Sequence, residues 1–261
     1  MDDRILVHIE NGIGQIQLNQ PRVLNALDDQ TYDNLSAVVG QLNSDKNVRV
    51  VIFSGSGRAF CAGDNITDGS LIKKRTFLQA YEYIRHMQIV FNQIEQMEKP
   101  TIAAIHGACC GGGLELALSC DIRIASEDSK IGLPELKLGA IPCIGGTQRL
   151  SRLIGTAKTK ELLFTSELIS AAEAAQLGIV NRVVKNGCEC SEAISMANRI
   201  KQHSMLALKM AKRSVDEGRD YPLSAALEIE ARNDAMLFDT HDFYEGMVAF
   251  QEKRMAEFWD E

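Results

Sequence analysis

The sequence has neither a long hydrophobic run nor a surplus of positive charge. No uncharged apolar stretch approaches the ~18 residues of a membrane-spanning helix, so no membrane partner is predicted. The formal net charge is −7 and aromatic residues make up only 6% of the chain, which argues against a nucleic-acid partner. One anionic ligand remains compatible with this balance, because a local basic patch can coexist with an acidic whole.

The cysteines lack the pairing pattern of a secreted protein. There are seven of them, an odd number, and most lie within apolar or glycine-rich runs. The first residues show no basic segment followed by an apolar core, so no signal peptide is expected. Cys188 and Cys190 flank one glutamate, but no matching Cys/His pair follows, and no metal site is predicted. The sequence therefore indicates reduced thiols and a cytoplasmic protein.

The 261-residue chain instead has an ordinary globular composition and alternating strand and helix patterns. Asn11 and Gly12 separate two apolar stretches, which predicts a β-hairpin. Strand, helix and strand then recur, a pattern typical of a parallel sheet covered by helices. Residues 67–80 are polar and unpatterned, and they predict a loop.

From about residue 191 the sequence reads as helical throughout. The candidate helices are 191–202, 204–217, 223–237 and 242–258. We therefore divide the chain into an α/β core over residues 1–190 and a helical region over 191–261. This helical region needs another surface to bury its apolar face, so it is predicted to act in oligomerisation or as a lid.

The stretch 101–135 carries the strongest chemical signal. It reads as an apolar strand, a turn over 107–113 that ends in three consecutive glycines at 111–113, a short apolar helix and a second strand. Such a turn leaves N–H groups free at the helix N-terminus, where negative charge is well held. Glu115 follows this turn and Glu135 ends the next unit, so the two carboxylates are candidates for an acid/base pair. A glycine turn that serves packing alone is the competing interpretation.

Six motifs occur in order along the chain. They are Pro21–Leu27, Phe60–Ile66, Ala104–Glu115, Leu133–Glu135, Ile141–Gln148 and Glu245–Arg254. Together they resemble the enoyl-CoA hydratase/isomerase (crotonase) superfamily over essentially the whole chain, and most closely an enoyl-CoA hydratase. The resemblance implies an α/β fold built as a crotonase-like spiral of ββα units with a helical C-terminal region. It also implies a homotrimer or a dimer of trimers, and an acyl-CoA thioester as ligand.

By this resemblance, the reaction is reversible addition of water to a trans-2-enoyl-CoA to give a 3-hydroxyacyl-CoA. The backbone N–H groups of Asp64 and Gly112 would form an oxyanion hole for the enolate. Glu115 and Glu135 would be the catalytic pair. No separate cofactor is implied, because coenzyme A is part of the substrate.

The resemblance also implies a set of substrate contacts. They are Arg22, Val23 and Leu24 beside the pantetheine and nucleotide, Ala62 and Ile66 near the adenine, Gly111 and Cys143 as further substrate contacts, and Lys253 as a phosphate contact from this or a neighbouring subunit.

Two positions depart from the pattern of that family. Asp64 stands where a small residue is frequent, and a carboxylate beside a developing enolate is unfavourable unless it points away or finds a partner. Cys143 stands where hydratases often have glycine, whose N–H is thought to help hold the water. Cysteine keeps the N–H but restricts φ and intrudes on the pocket. Both departures could signal an altered substrate or altered chemistry.

Other functions remain open on the same scaffold, including double-bond isomerisation, thioester hydrolysis and decarboxylation. An isomerase generally needs one carboxylate to move a proton, so the presence of both Glu115 and Glu135 favours a hydratase. A non-catalytic acyl-CoA-binding subunit is the alternative from a different class. Loss of a glutamate or of a turn glycine would favour that alternative, and neither loss is seen.

Overall fold

A computed structural model describes residues 3–67, 69 and 73–260 of the chain. The strands of this part are β1 (Ile5–Glu10), β2 (Ile13–Leu18), β3 (Val50–Gly55), β4 (Thr101–Ile105), β5 (Ala108–Cys110), β6 (Ile122–Ser126), β7 (Lys130–Gly132), β8 (Ile169–Ser170) and β9 (Arg182–Val184). The α-helices are α1 (Asp29–Ser44), α2 (Phe77–Glu95), α3 (Gly112–Leu118), α4 (Gly146–Ile154), α5 (Thr156–Thr165), α6 (Ala171–Gln176), α7 (Glu189–Ile200), α8 (Met205–Gly218), α9 (Leu223–Ala235) and α10 (His241–Glu252). Two short 3₁₀ helices span Pro21–Val23 and Glu135–Leu138.

A six-stranded sheet in the order β1-β2-β3-β4-β6-β9 forms the centre of the fold. The predicted hairpin is confirmed, because β1 and β2 pair antiparallel on either side of Asn11 and Gly12, which both have positive φ. The remaining neighbours in this sheet pair in parallel, as the recurring strand and helix pattern predicts.

A second, three-stranded sheet is made of β5, β7 and β8. The sequence predicts only a turn over 107–113, and that prediction is wrong for Ala108–Cys110, which forms β5. Cys109 pairs with Ile131 of β7 on one side and with Cys61 on the other. Pairing with these two buried residues keeps the segment extended. Both partners are distant in sequence, so local sequence patterns do not reveal the pairing.

Side chains on the two faces of the large sheet pack against different helices. Val51, Phe53 and Ile105 belong to the larger core cluster, which also contains Tyr32 of α1 and Phe91 of α2. The alternate positions Ile52, Ile102 and Ile124 pack with α7 in a second cluster. The sheet is therefore buried on both faces, as expected for parallel strands rich in Val and Ile.

Helix α2 begins at Phe77, inside the segment predicted as a loop over 67–80. Thr76 and Gln79 form a reciprocal capping box that starts the helix there. The loop prediction is therefore wrong from Phe77 onward. Asp68 and residues 70–72 of the predicted loop lie outside the described residues.

The C-terminal part is helical, as predicted, but its last helix ends early. Helix α10 stops at Glu252 rather than near 258, because Lys253 adopts the left-handed conformation and its N–H bonds back to Phe250. Helix α7 packs on β3, β4 and β6 of the large sheet. The division into two regions near residue 190 stays a prediction.

Candidate active site

Glu115 lies on the short buried helix α3 and is itself only 1% exposed. Its Oε1 accepts hydrogen bonds from the backbone N–H groups of Ile144 at 2.8 Å and Gly146 at 2.7 Å. Gly146 is the first residue of α4, so the carboxyl group also sits at the positive end of that helix. The fold thus buries this glutamate and supplies two N–H donors to its oxygen.

Burial raises the pKa of Glu115 to about 8, against the lowering effect of the N–H donor of Gly146. The nearby negative charge of Glu135 raises this pKa further. Because the two carboxyl groups repel each other's charge, one proton stays on the pair near neutral pH. The pKa of Glu115 is the higher of the two, so the shared proton rests mainly on Glu115 in the free protein, although its two N–H donors favour the charged form.

Glu135 follows β7 and Pro134 and opens a 3₁₀ helix. Both of its carboxyl oxygens are buried, and neither has a hydrogen-bond partner among the described residues. A β-carbon placed on Gly111 would lie 3.3 Å from Oε1 of Glu135, so this carboxyl group faces the glycine turn. Burial raises the pKa of Glu135 to about 7, and the charge of Asp64 adds to this rise. An unpartnered buried carboxyl group is suited to hold a proton.

The three glycines bring α3 close to the segment around Cys61. Gly111 has a φ of +54°, and its N–H donates to Gly132 at 2.9 Å. A β-carbon on Gly113 would overlap the carbonyl oxygen of Cys61, which explains why a larger residue does not fit there. Among the hydrogen bonds of turns, loops and helix ends in the described residues, none has the N–H of Gly112 as its donor.

Asp64 is held beside this turn by an isolated pairing with Leu27. The carbonyl of Gly63 and the N–H of Asn65 bond to Leu27 at 2.8 Å and 2.7 Å. Asp64 lies between Gly63 and Asn65. In an extended segment the backbone N–H and C=O of the middle residue point away from the strand that its two neighbours bond to, so the N–H of Asp64 faces away from Leu27. A β-carbon on Gly63 would lie 3.3 Å from the amide nitrogen of Gly112. The two predicted oxyanion donors are thus on neighbouring segments of backbone.

The carboxyl group of Asp64 has a partner that the sequence did not reveal. The hydroxyl of Tyr32, a fully buried residue of α1, donates to Oδ1 of Asp64 at 2.5 Å. Oδ2 of Asp64 would lie 3.3 Å from a β-carbon on Gly112. Burial raises the pKa of Asp64, and the bond from Tyr32 opposes this rise. The signal available in the sequence was a tyrosine at a core position, because a buried hydroxyl needs an acceptor.

Cys143 is half-buried. Burial raises the pKa of its thiol to about 12, and the charges of Glu115, Asp64 and Glu135 contribute in that order. The thiol is therefore neutral over the whole physiological range. All seven cysteines of the chain are free thiols.

The predicted coenzyme A contacts fall into two groups. Arg22 and Val23 lie exposed on the first 3₁₀ helix, and the carbonyl of Leu24 accepts from the N–H of Ala62 at 3.0 Å. Ile66 follows on the surface, 54% exposed. These predicted contacts therefore come together along one edge of the site.

Lys253 has no hydrogen bond or ion pair to that edge among the described residues. It ends α10, where Glu245 and Arg254 pair with each other. No hydrogen bond or ion pair in the described ranges joins this helix to residues 22–24 or 62–66.

Within residues 3–67, 69 and 73–260, no group of three or more His, Cys, Asp or Glu side chains is arranged to hold a metal ion. Over the same part of the chain, no helix is long and apolar enough to cross a membrane.

The arrangement supports one class of chemistry. The backbone segments of Asp64 and Gly112 lie side by side, and the carboxyl groups of Asp64 and Glu135 lie next to the glycine turn. One carboxyl group is held by two N–H donors, whereas another is buried without a partner. Such a site can stabilise an enolate while one acid gives a proton and the other takes one.

Known proteins resemble this chain over nearly its full length. A family model described as enoyl-CoA hydratase/isomerase matches residues 8–261. The crotonyl-CoA hydratase of Syntrophomonas wolfei is 39% identical over 257 residues, which cover 98% of both chains. The short-chain-enoyl-CoA hydratase of Clostridium acetobutylicum is 37% identical over 256 residues, covering 98% of this chain and 97% of the relative. The solved enoyl-CoA hydratase of Bacillus anthracis matches with a TM-score of 0.94 at 36% identity, covering 99% of this chain and 100% of that one.

Proposed function

The chain belongs to the enoyl-CoA hydratase/isomerase family, and from that membership we propose that it is an enoyl-CoA hydratase, a carbon–oxygen lyase. It adds water reversibly to a trans-2-enoyl-CoA and gives a 3-hydroxyacyl-CoA. The names of the two relatives make a short-chain substrate such as crotonyl-CoA the first one to test.

In this proposal the backbone N–H groups of Asp64 and Gly112 bind the thioester oxygen. A thioester α-carbon is too weakly acidic to exchange protons with a carboxylate unless the enolate is stabilised. Two preorganised N–H donors in a buried site each contribute about 3–4 kcal/mol to such stabilisation. The position of Gly112 at the start of α3 supports this role, because the helix dipole adds to the field there.

Glu115 is the proposed base and Glu135 the proposed acid. Ionised Glu115 accepts a proton from the water whose oxygen bonds to C3, while protonated Glu135 delivers its proton to C2. In the dehydration direction the same groups exchange roles. The observation that supports this assignment best is the contrast in partners: N–H groups of two other residues bond to Glu115, whereas neither carboxyl oxygen of Glu135 has a hydrogen-bond partner among the described residues. Because the pKa of Glu115 is the higher of the two, this reactive form, with the proton on Glu135, is the minor one in the free protein.

Coenzyme A enters and leaves as part of the substrate, so the proposed reaction needs no separate cofactor. Arg22, Val23, Leu24, Ala62 and Ile66 are proposed to bind it, with Gly111 and Cys143 nearer the acyl group. Lys253 is proposed to reach a phosphate group of the substrate in a neighbouring subunit. The free state of all seven thiols favours the cytoplasm as the place of action.

A substrate panel tests the proposal. Loss of the conjugated thioester absorbance is followed with 2-enoyl-CoA substrates, and 3-enoyl-CoA substrates are supplied in parallel to detect isomerisation. Hydration is expected with the 2-enoyl set. Glu115→Gln and Glu135→Gln should each lower kcat by about 10²–10⁴-fold while acyl-CoA binding, measured by calorimetry, stays nearly unchanged. Conversion of the 3-enoyl set alone would mean that the protein is an isomerase. Full activity in both variants would rule out Glu115 and Glu135 as the catalytic pair.

A further inference from the structure

The backbone segment that donates hydrogen bonds to Glu115 itself accepts hydrogen bonds from two side chains. Residues 143–146 form a short segment, here called the carboxylate loop, whose N–H groups at Ile144 and Gly146 bond to Glu115. We propose that Gln88 and Arg149 are positioning residues for the reaction: they fix the carbonyl side of the carboxylate loop so that its N–H side stays aimed at Glu115. This inference rests on the proposed role of Glu115 as the base.

Gln88 acts on the first peptide unit of the loop. Its Nε2 donates to the carbonyl of Cys143 at 2.6 Å, and the N–H of that same peptide unit, on Ile144, donates to Glu115 at 2.8 Å. A trans peptide unit is planar with its C=O and N–H pointing in opposite directions. A donor on the oxygen therefore both orients the N–H and polarises it. Arg85 fixes the amide of Gln88 in turn, donating to its Oε1 at 2.7 Å.

Arg149 acts on the next peptide unit, which carries the carbonyl of Ile144 and the N–H of Gly145 and lies between the two units whose N–H groups bond to Glu115. Its Nη1 donates to the carbonyl of Ile144 at 3.0 Å, while Nη2 bonds to Asn92 at 2.6 Å and to Glu95 at 2.7 Å. The side chain is only 9% exposed, so α2 holds the guanidinium in one position. Gly145 has a φ of +116°, and a β-carbon there would overlap the guanidinium group. The absence of a side chain at 145 is what lets Arg149 reach the loop.

This arrangement has a consequence for the charge on Glu115. The two N–H donors favour its ionised form, whereas burial and the surrounding acidic groups oppose it. The groups that face Glu115 are Tyr32 from α1, Asp64 from the segment after β3, Glu135 from the 3₁₀ helix and Cys143 from the loop. None of these is a cation, so the loop amides carry the stabilisation of the charge. If the loop loosens, the pKa of Glu115 rises.

The test compares the pH dependence of kcat/KM in Gln88→Met and Arg149→Met with the unchanged protein. Gln88→Met keeps the size and the neutral charge of the side chain but removes the donor. The alkaline limb of the profile, which follows the higher pKa of the pair and so that of Glu115 in the free enzyme, should move up by about one pH unit. Activity should therefore fall about tenfold near neutral pH and recover on the alkaline side of the limb.

Arg152→Met is the matched control, because Arg152 lies on the same helix, is 47% exposed, and pairs with Asp220 rather than with the loop. It should leave the alkaline limb in place. An equal loss of activity at every pH in Gln88→Met, with the limb unmoved, would mean that Gln88 serves packing alone and would overturn the proposal.

An infrared titration without substrate separates this inference from the proposed function. The carbonyl stretch of the protonated Glu115 carboxyl group is assigned by its disappearance in Glu115→Gln. It should persist to higher pH in Gln88→Met and in Arg149→Met than in Arg152→Met. If the protein hydrates no enoyl-CoA, the proposed function fails and this titration still decides whether the loop is held in this way. Identical titrations in all variants would overturn it.

Discussion

Three carboxyl groups share this site, and each has a different set of partners. Glu115 accepts from two backbone N–H groups, Asp64 accepts from the hydroxyl of Tyr32, and Glu135 has no partner in the described part of the chain. Hydrogen bonds to the charged form favour ionisation, and burial without them favours the proton. Identical side-chain chemistry therefore acquires different proposed roles from its surroundings.

Asp64 is predicted to tune the other two groups. Its charge raises the pKa of both Glu115 and Glu135. Asp64→Asn removes the charge, keeps an acceptor for Tyr32 and leaves the backbone N–H in place. Both limbs of the kcat/KM profile should therefore move to lower pH, by about half to one pH unit. The measurement is the pH profile with the best 2-enoyl-CoA substrate.

Tyr32→Phe serves as the companion variant. It removes the hydroxyl donor to Asp64 while keeping the ring that packs on Phe91. The pKa of Asp64 should rise, so its charge should weaken and the limbs should move in the same direction as in Asp64→Asn. Limbs that stay fixed in both variants would show that the charge of Asp64 does not reach the pair.

The start of α4 is the element on which the site depends most closely. Gly146 donates to Glu115, and a β-carbon there would lie 2.9 Å from Oε1 of Glu115 and 2.9 Å from the side chain of Pro142. Gly146→Ala should push the carboxyl group off the helix N-terminus and lower kcat by about 10–100-fold. Steady-state kinetics check this prediction.

Gly40→Ala is the control for the loss of a glycine. Gly40 lies exposed in α1, and a β-carbon there meets nothing within 4 Å. This variant should raise the free energy of unfolding by about 0.5–1 kcal/mol and leave the kinetics unchanged. A Gly146→Ala variant as active as Gly40→Ala would contradict the role given to the start of α4.

Local patterns predict some of the elements, but not those that depend on distant partners. The crotonase-like α/β fold with its helical C-terminal region is confirmed by the likeness to solved structures. Turn chemistry locates the hairpin, because that signal is local. Strand β5 was missed, since its extended form depends on Cys61 and Ile131 from elsewhere in the chain. Gln88 and Arg149 were missed for the same reason, because nothing in helical spacing shows which loop a polar side chain meets.

The whole molecule leaves large apolar side chains of its C-terminal region exposed. Phe250 is 85% exposed, Met255 75% and Trp259 65%, and a groove of about 640 Å³ lies between α8 and α10. Contiguous exposed apolar surface is costly in water and marks a protein interface. We therefore expect an oligomer, which the resemblance to the crotonase superfamily implies is a homotrimer or a dimer of trimers, in size-exclusion chromatography with light scattering, and a smaller species for Phe250→Asp. A monomeric parent protein would contradict this.

The buried glutamates should lower the free energy of unfolding of the whole molecule at alkaline pH, where they ionise. The native state raises the pKa of Glu135 from its ordinary value of 4.5 to about 7, so folding favours the protonated form. That contribution is fully present below about pH 4.5 and is lost as the pH rises through about 7. Glu135→Gln cannot ionise, so it should be more stable than the parent protein at alkaline pH and no more stable in acid. We expect a gain of about 2 kcal/mol, less than the full pKa shift would give, because solvent screens this partly exposed residue.

This difference should appear as a melting temperature about 4–8 °C higher for Glu135→Gln at alkaline pH, with the two curves converging in acid. Glu115→Gln should also gain stability as the pH rises, but at higher pH than Glu135→Gln, because burial raises the pKa of Glu115 to about 8. A gain of equal size at every pH would instead indicate better packing of the amide. A gain confined to alkaline pH would mean that the fold keeps these acids in place against its own stability, which is expected only where their charge serves a reaction.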